Sequence, residues 1–161
     1  MLLSIALTLA HIYFSEKAIC YLYLICFLII IYTPFLKGIP LLGNIVISFI
    51  LASVFLITEL ILLNKLVGIL FYPSLLTFML TLIREIIKDI DDVIGDSSAG
   101  IHTFPAVFGL TYTKYLLLIL TILLIITSLY PYYLGIYHFQ YLILLVLLVQ
   151  IPIIGCIFYL W

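Results

Sequence analysis

Charge is what this sequence has least of. Six lysine and arginine side chains and seven acidic ones are all that its 161 residues carry, and 68% of the chain is hydrophobic, with a mean hydropathy of +1.48. So much apolar surface excludes a water-soluble domain. The chain has no basic stripe, which excludes an ordinary nucleic-acid reader. Cysteine is scarce, and Cys20, Cys26 and Cys156 all lie inside apolar runs. Cys20 and Cys26 lack the spacing of zinc ligands, so the three read as small, polarizable packing residues. Residues 1–14 lack a positively charged start, and no small-residue cleavage site comes after them. They therefore read as a transmembrane helix that begins abruptly, and not as a secretory signal. No soluble domain, long linker or low-complexity tract interrupts the chain.

What is present is apolar length. A helix needs roughly 20 apolar residues to cross a ~30 Å hydrocarbon core, and such runs repeat along the whole sequence. Six segments emerge, at about 1–14, 18–36, 41–62, 66–88, 105–130 and 137–161. They are too long and too continuously apolar for the alternating strands of a membrane barrel. The fold class is therefore all-α, a polytopic transmembrane helical bundle forming one domain over 1–161. Asn64-Lys65 makes the third break a tight turn, so segments 41–62 and 66–88 form an antiparallel hairpin. Pro73 falls inside the second of them and is expected to bend it. Tyr130 to Gly135 forms a tyrosine-rich turn suited to a membrane interface. Lys37, Arg84, Lys88 and Lys114 fall on one side, Lys17 and Lys65 on the other. The positive-inside rule puts the first group, and the acidic segment with it, on the cytoplasmic side of a cell membrane.

Seven of the charged side chains stand between Arg84 and Asp96. A charge near the bilayer centre costs at least ~2.5–3.5 kcal/mol, so such a cluster usually marks function. If the helix through Ile87 continues, Asp89, Asp92 and Asp96 fall within about a 60° arc, with Glu85 one turn earlier and Asp91 turned away beside Arg84 and Lys88. Carboxylates in this array suit Mg²⁺, which takes a few protein oxygens and leaves its other positions to water and phosphates. Arg84 and Lys88 are suited to phosphate oxygens. The charge run alone is equally compatible with a solvated loop. It is not an EF-hand: Val93, Ile94 and Gly100 stand where an oxygen ligand, the glycine and the closing glutamate belong.

The stretch from Arg84 to Gly109 resembles the second aspartate-rich motif of the UbiA-type intramembrane prenyltransferases. Asp89, Asp92 and Asp96 match its three aspartates, and Gly100, Thr103, Pro105, Phe108 and Gly109 match the pattern downstream of them. Upstream, Tyr32 to Lys37 and Pro40 to Asn44 resemble the family's tyrosine-lysine segment and the Gly-Asn opening of its next helix. The resemblance implies a bundle of about nine transmembrane helices, of which this chain carries about six. It implies that aspartate motifs hold Mg²⁺, which grips an isoprenyl diphosphate while the prenyl group passes to an acceptor. It casts Asp89, Asp92 and Asp96 as metal ligands and catalytic residues. It casts Arg84, Lys88, His102 and Lys37 as diphosphate contacts, with Tyr32 and Asn44 lining the cavity.

The chain departs from the family pattern in places. No paired-aspartate motif precedes Tyr32, where Glu16 is the only acid. Ser97 stands where a basic residue is common, and His102 stands at the basic position before Thr103. These departures, with the run of apolar residues at Trp161, lead to the expectation of an incomplete chain, inactive alone. For Lys37 a membrane-side anchor and for Asn44 an interhelical hydrogen bond remain equally open, and for Tyr32 an interfacial aromatic is the reading the residue alone favours. Glu59 is expected to snorkel or to pair with Lys65. His11 and His138 are lone histidines. The wording from Arg84 to Ile90 is most similar to the branch that prenylates geranylgeranylglyceryl phosphate in ether-lipid synthesis, with geranylgeranyl diphosphate as donor. Aromatic quinone precursors are the second acceptor class. The alternative is a non-catalytic or degenerate protein that binds isoprenoid or metal and needs a partner chain.

Overall fold

The computed structural model describes residues 11–98 and 100–161, so the expected first span, 1–14, lies largely outside the described residues. The rest of the chain builds six helices: α1 (Glu16–Leu36), α2 (Leu42–Leu63), α3 (Phe71–Asp91), the short α4 (Val93–Ser98), α5 (Phe104–Tyr133) and α6 (Phe139–Leu160). Among the described residues there is no strand. Helices α1, α2, α5 and α6 are long and apolar enough to cross a membrane. Helix α3, at 21 residues, is equally long and carries its charges in its last two turns. The molecule is an integral membrane helical bundle.

Burial runs opposite to that of a soluble protein. Ser48, Ser53, Glu59, Thr113, Thr121 and Ser128 are buried, while Phe27, Val54, Ile119, Ile126 and Leu148 are exposed to what would be lipid. Apolar side chains gain nothing by leaving lipid for protein, so small residues let helices approach and polar contacts join them. The core gathers around α3, where Met79, Leu82, Ile83 and Ile86 pack with Leu117 and Leu124 of α5 and Ile157 of α6. The most extensive helix pair is α2 with α3. Ser74 Oγ, in the first turn of α3, donates to the Ala52 carbonyl in the middle of α2 at 2.9 Å.

The hairpin forms as expected, and its turn corrects the expectation for Glu59. Helix α2 ends at Asn64, which takes a left-handed conformation (φ 54) and closes the last turn. Residues 66–70, expected to be helical, instead fold back over the end of α2. Glu59 is 1% exposed and accepts the backbone N–H groups of Val67, Gly68 (2.6 Å), Ile69 (3.4 Å) and Leu70 (3.2 Å). It pairs with the backbone and not with Lys65. The physical reason is that N–H groups just before and at a helix start have no carbonyl one turn back, and a buried carboxylate satisfies several at once. Gly68, at φ 90, allows the chain to turn its N–H groups inward.

Three other boundaries differ from the sequence reading. Pro73 is the third residue of α3, where its missing N–H would have had no partner anyway, so it starts the helix and does not bend it. Helix α5 runs through Pro131 to Tyr133, past the expected break at Tyr130. Two π segments, Tyr32–Leu36 and Val146–Gln150, sit inside α1 and α6, in and just before turns where Pro34 and Pro152 cannot donate.

Replacing Glu59 by alanine strands its N–H donors, and lowers the thermal midpoint of the detergent-solubilised protein by several degrees. Lys65→Ala leaves the midpoint unchanged. A thermal melt of both variants separates the backbone anchor from the Lys65 pairing.

Candidate active site

The aspartates are placed by the end of one helix and the start of another. Helix α3 closes at Asp91, Asp92 adopts φ −89 and ψ 0, and α4 begins at Val93. Hydrogen bonding carries across this joint, because Asp92 N–H donates to the Lys88 carbonyl at 3.0 Å and Asp96 N–H to the Asp92 carbonyl at 2.9 Å. The expected continuous helix is therefore stepped at Asp92. Asp89, Asp92 and Asp96 still line one polar cavity of about 50 Å³, together with Glu85, Lys88, Tyr32, Lys37, Gly43, Asn44 and Thr103. Asp91 is exposed and turned away, as the helical phase required.

The other wall is the turn between α1 and α2. Pro34 interrupts the hydrogen-bond ladder of α1, and the chain answers with the π segment, in which Lys37 N–H reaches the Tyr32 carbonyl at 2.9 Å. This brings Tyr32 and Lys37 to the cavity. Gly43 then packs directly on the turn: a Cβ there would stand 2.9 Å from the Leu36 carbonyl oxygen and 3.2 Å from the Lys37 Cα. Asn44 comes next, buried, and its Nδ2 donates to Asp89 Oδ2 at 2.8 Å. That bond joins the α2 end of the cavity to the α3 end.

Electrostatics in the cavity are set by carboxylates held close together. Asp89 stands in the last turn of α3, beyond its apolar run. Burial pushes its carboxyl above the ordinary aspartate range, and the Asn44 amide draws it back down. The Asp96 and Glu85 charges raise it further, while Lys88 opposes them. Lys88 Nζ lies 3.9 Å from Glu85 Oε2.

Of the nine residues singled out in the sequence, seven meet here: Asp89, Asp92, Asp96, Lys88, Lys37, Tyr32 and Asn44. Two do not. Arg84 pairs with Glu85 and faces an apolar groove between α3 and α6, beside Ile87, Pro152 and Ile153. His102 is exposed and does not line the cavity. Glu85 and Thr103 line it without having been singled out as site residues, although helical phase had put Glu85 on the aspartate face and Thr103 belonged to the matched motif. The lining offers oxygen donors, with neither thiol nor imidazole among them, which suits a hard cation such as Mg²⁺. Among the described residues no three acidic, imidazole or thiol side chains converge on one point.

A carboxylate array beside two lysines, ordered along the chain in this way, agrees with comparison to known proteins. Residues 1–161 match the UbiA prenyltransferase family. The chain belongs to that family. It is 34% identical over 121 residues to a protein of Methanopyrus kandleri named digeranylgeranylglyceryl phosphate synthase, which covers 73% of this chain and 42% of the relative. Proteins of the same name from Methanosphaera stadtmanae (36% over 120 residues, 74% of this chain and 43% of the relative) and Methanosarcina mazei (37% over 117 residues, 73% and 40%) are similar to it as well. The chain spans about two-fifths of the length of these curated relatives. No solved structure matches it.

Within this family member Gly43 is the packing hinge of the cavity wall. A glycine-to-alanine change inside a helix ordinarily gains stability, by up to ~1 kcal/mol. At Gly43 the sign inverts, because the added methyl meets backbone that cannot swing aside. Gly43→Ala is expected to cost about 1–3 kcal/mol, seen as a lower thermal midpoint.

Proposed function

We propose that this chain forms the diphosphate-binding side of a Mg²⁺-dependent membrane prenyltransferase. Its donor is a polyprenyl diphosphate of the geranylgeranyl class, and its acceptor is geranylgeranylglyceryl phosphate. The observation that carries the reading is the polar cavity in which Asp89, Asp92 and Asp96 meet Lys37 and Lys88, and where six of the chain's thirteen charged side chains gather. Family membership supports the reaction class, and the names of the similar archaeal proteins support the acceptor.

The residues divide the work by their chemistry. Asp92 and Asp96 offer carboxylates that make no hydrogen bond to another side chain among the described residues, and Asp89 is aimed by the Asn44 amide. Mg²⁺, when bound, supplies positive charge next to the departing diphosphate. Lys37 and Lys88 donate to the diphosphate oxygens and stabilise the charge that builds on them. The bond from the allylic carbon to the diphosphate oxygen breaks, and its electron pair leaves with the diphosphate. The acceptor hydroxyl oxygen bonds to that carbon and releases its proton to solvent. The Tyr32 ring, on the same wall, offers a π face to the developing allylic cation. The positive-inside distribution of Lys37, Arg84, Lys88 and Lys114 supports a cytoplasmic opening.

Asp92 is exposed, so its replacement tests chemistry without disturbing packing. In the full-length protein Asp92→Ala is expected to reduce Mg²⁺-dependent prenyl transfer by at least ~10²-fold, with an unchanged thermal midpoint. The assay traces labelled geranylgeranyl diphosphate into lipid. Wild-type turnover in that variant would refute the assignment.

A further inference from the structure

Most buried serine and threonine hydroxyls elsewhere among the described residues are spent on a helix carbonyl, and the unpaired hydroxyls of Ser15, Tyr21 and Thr121 do not line the carboxylate cavity. Ser48 donates to the Asn44 carbonyl at 2.6 Å, Ser53 to Ile50 at 2.6 Å, Thr113 to Gly109 at 2.9 Å and Ser128 to Ile125 at 2.9 Å. Thr103 has no such outlet. It is the residue just before α5, in extended conformation (φ −70, ψ 161), so no helical turn precedes it. A threonine in this position ordinarily accepts the N–H of the second or third helical residue. Here the second is Pro105, which has no N–H, and the Thr103 side chain makes no capping bond. Thr103 is nevertheless 7% exposed, and its Oγ1 has no protein hydrogen-bond partner among the described residues. It lines the carboxylate cavity. A buried hydroxyl left unpaired is costly, and native structures keep few of them.

We propose that the Thr103 hydroxyl binds ligand directly, donating a hydrogen bond to a diphosphate oxygen in the cavity that Lys37 and Lys88 also line. This rests on the diphosphate reading of the cavity and adds to it a neutral donor. A hydroxyl suits the place because it can serve an anion without adding charge beside the aspartates. Gly109 (φ 82, ψ 166) cuts the first turn of α5 from the remainder, so the hydroxyl, and not a long helix dipole, is what this turn offers. Thr103 is thereby a substrate contact contributed from a third element, after the α1–α2 turn and the α3–α4 joint.

Titration calorimetry with inorganic pyrophosphate in the presence of Mg²⁺, on the full-length detergent-solubilised protein, tests this. Thr103→Val keeps the shape and removes the donor. It is expected to weaken pyrophosphate binding about tenfold, the usual weight of a hydrogen bond to a charged group. Thr103→Ser should bind within about threefold of wild type, since it keeps the hydroxyl. Without ligand, the thermal midpoint of Thr103→Val should be no lower than that of wild type, because an unpaired hydroxyl has gone. Should the valine variant fold poorly, Thr103→Ala against Thr103→Ser makes the same comparison. Wild-type pyrophosphate affinity in the valine or alanine variant overturns the inference. So does equal weakening of Mg²⁺ binding without pyrophosphate, which would put the hydroxyl on the ion's water shell. If Asp92→Ala loses pyrophosphate while Thr103→Val keeps it, the Thr103 inference fails and the proposed function stands. If wild type itself binds no pyrophosphate, the functional reading fails first.

Discussion

Helices in lipid have little hydrophobic reason to choose one register over another, because a leucine is as comfortable against an acyl chain as against a neighbour. The register of α3 against α2 must therefore come from specific contacts, and three polar ones are spaced along the pair. Glu59 gathers the N–H groups of residues 67–70 at one end, Ser74 meets the Ala52 carbonyl about one turn further on, and Asn44 meets Asp89 at the other end. A slip of one residue turns α3 by about 100° and carries the aspartates off the cavity face. The anchor that looks remote from the chemistry is thus part of what holds the carboxylates in place. It lies at the far end of the pair, where a small error in rotation would be passed along the whole helix.

The same economy governs charge. Glu85 takes Arg84 on one side and Lys88 on the other, so it separates a cation that faces the apolar groove from one that faces the cavity. Asp89 is part-buried and receives a neutral amide, which steadies it without cancelling its charge. Asp92 and Asp96 remain without such partners among the described residues. Burial and like charge raise the cost of keeping Asp89 ionised. A cation brought by a ligand relieves that cost in the place where the carboxylates need it.

How much of this was legible in the sequence depended on the kind of signal. Apolar length gave the spans, and a tight polar turn gave the α2–α3 hairpin, because both derive from lipid thickness and local chain geometry. Helical phase placed Asp89, Asp92 and Asp96 together and turned Asp91 away, and that survived the step at Asp92 because hydrogen bonding crosses it. Phase also ought to have promoted Glu85, which lay on the aspartate face in plain view. Glu59 was misread because its partners are backbone N–H groups, which carry no letter in a sequence. The π segment at Tyr32 was missed for a similar reason: Pro34 announces a lost donor, but not how the ladder is repaired. Arg84 and His102 were chosen from the motif resemblance and their charge, neither of which says which way a side chain faces.

The cavity's geometry bears on how an ion would be held under the proposed reading. Three aspartates share a wall, yet no three metal-binding side chains among the described residues converge on a point. Mg²⁺ ordinarily takes one or two carboxylates and leaves its other positions to water or to substrate phosphates. Water in those positions is exchangeable, whereas a diphosphate can occupy two or more at once and also reach Lys37, Lys88 and Thr103. The ion and the diphosphate should then bind far better together than either does alone, each completing the other's coordination. By linkage, whatever the diphosphate does for the metal the metal does equally for the diphosphate. Release of the product diphosphate would loosen the ion by the same factor, so coupled binding of the two favours turnover over tight metal storage.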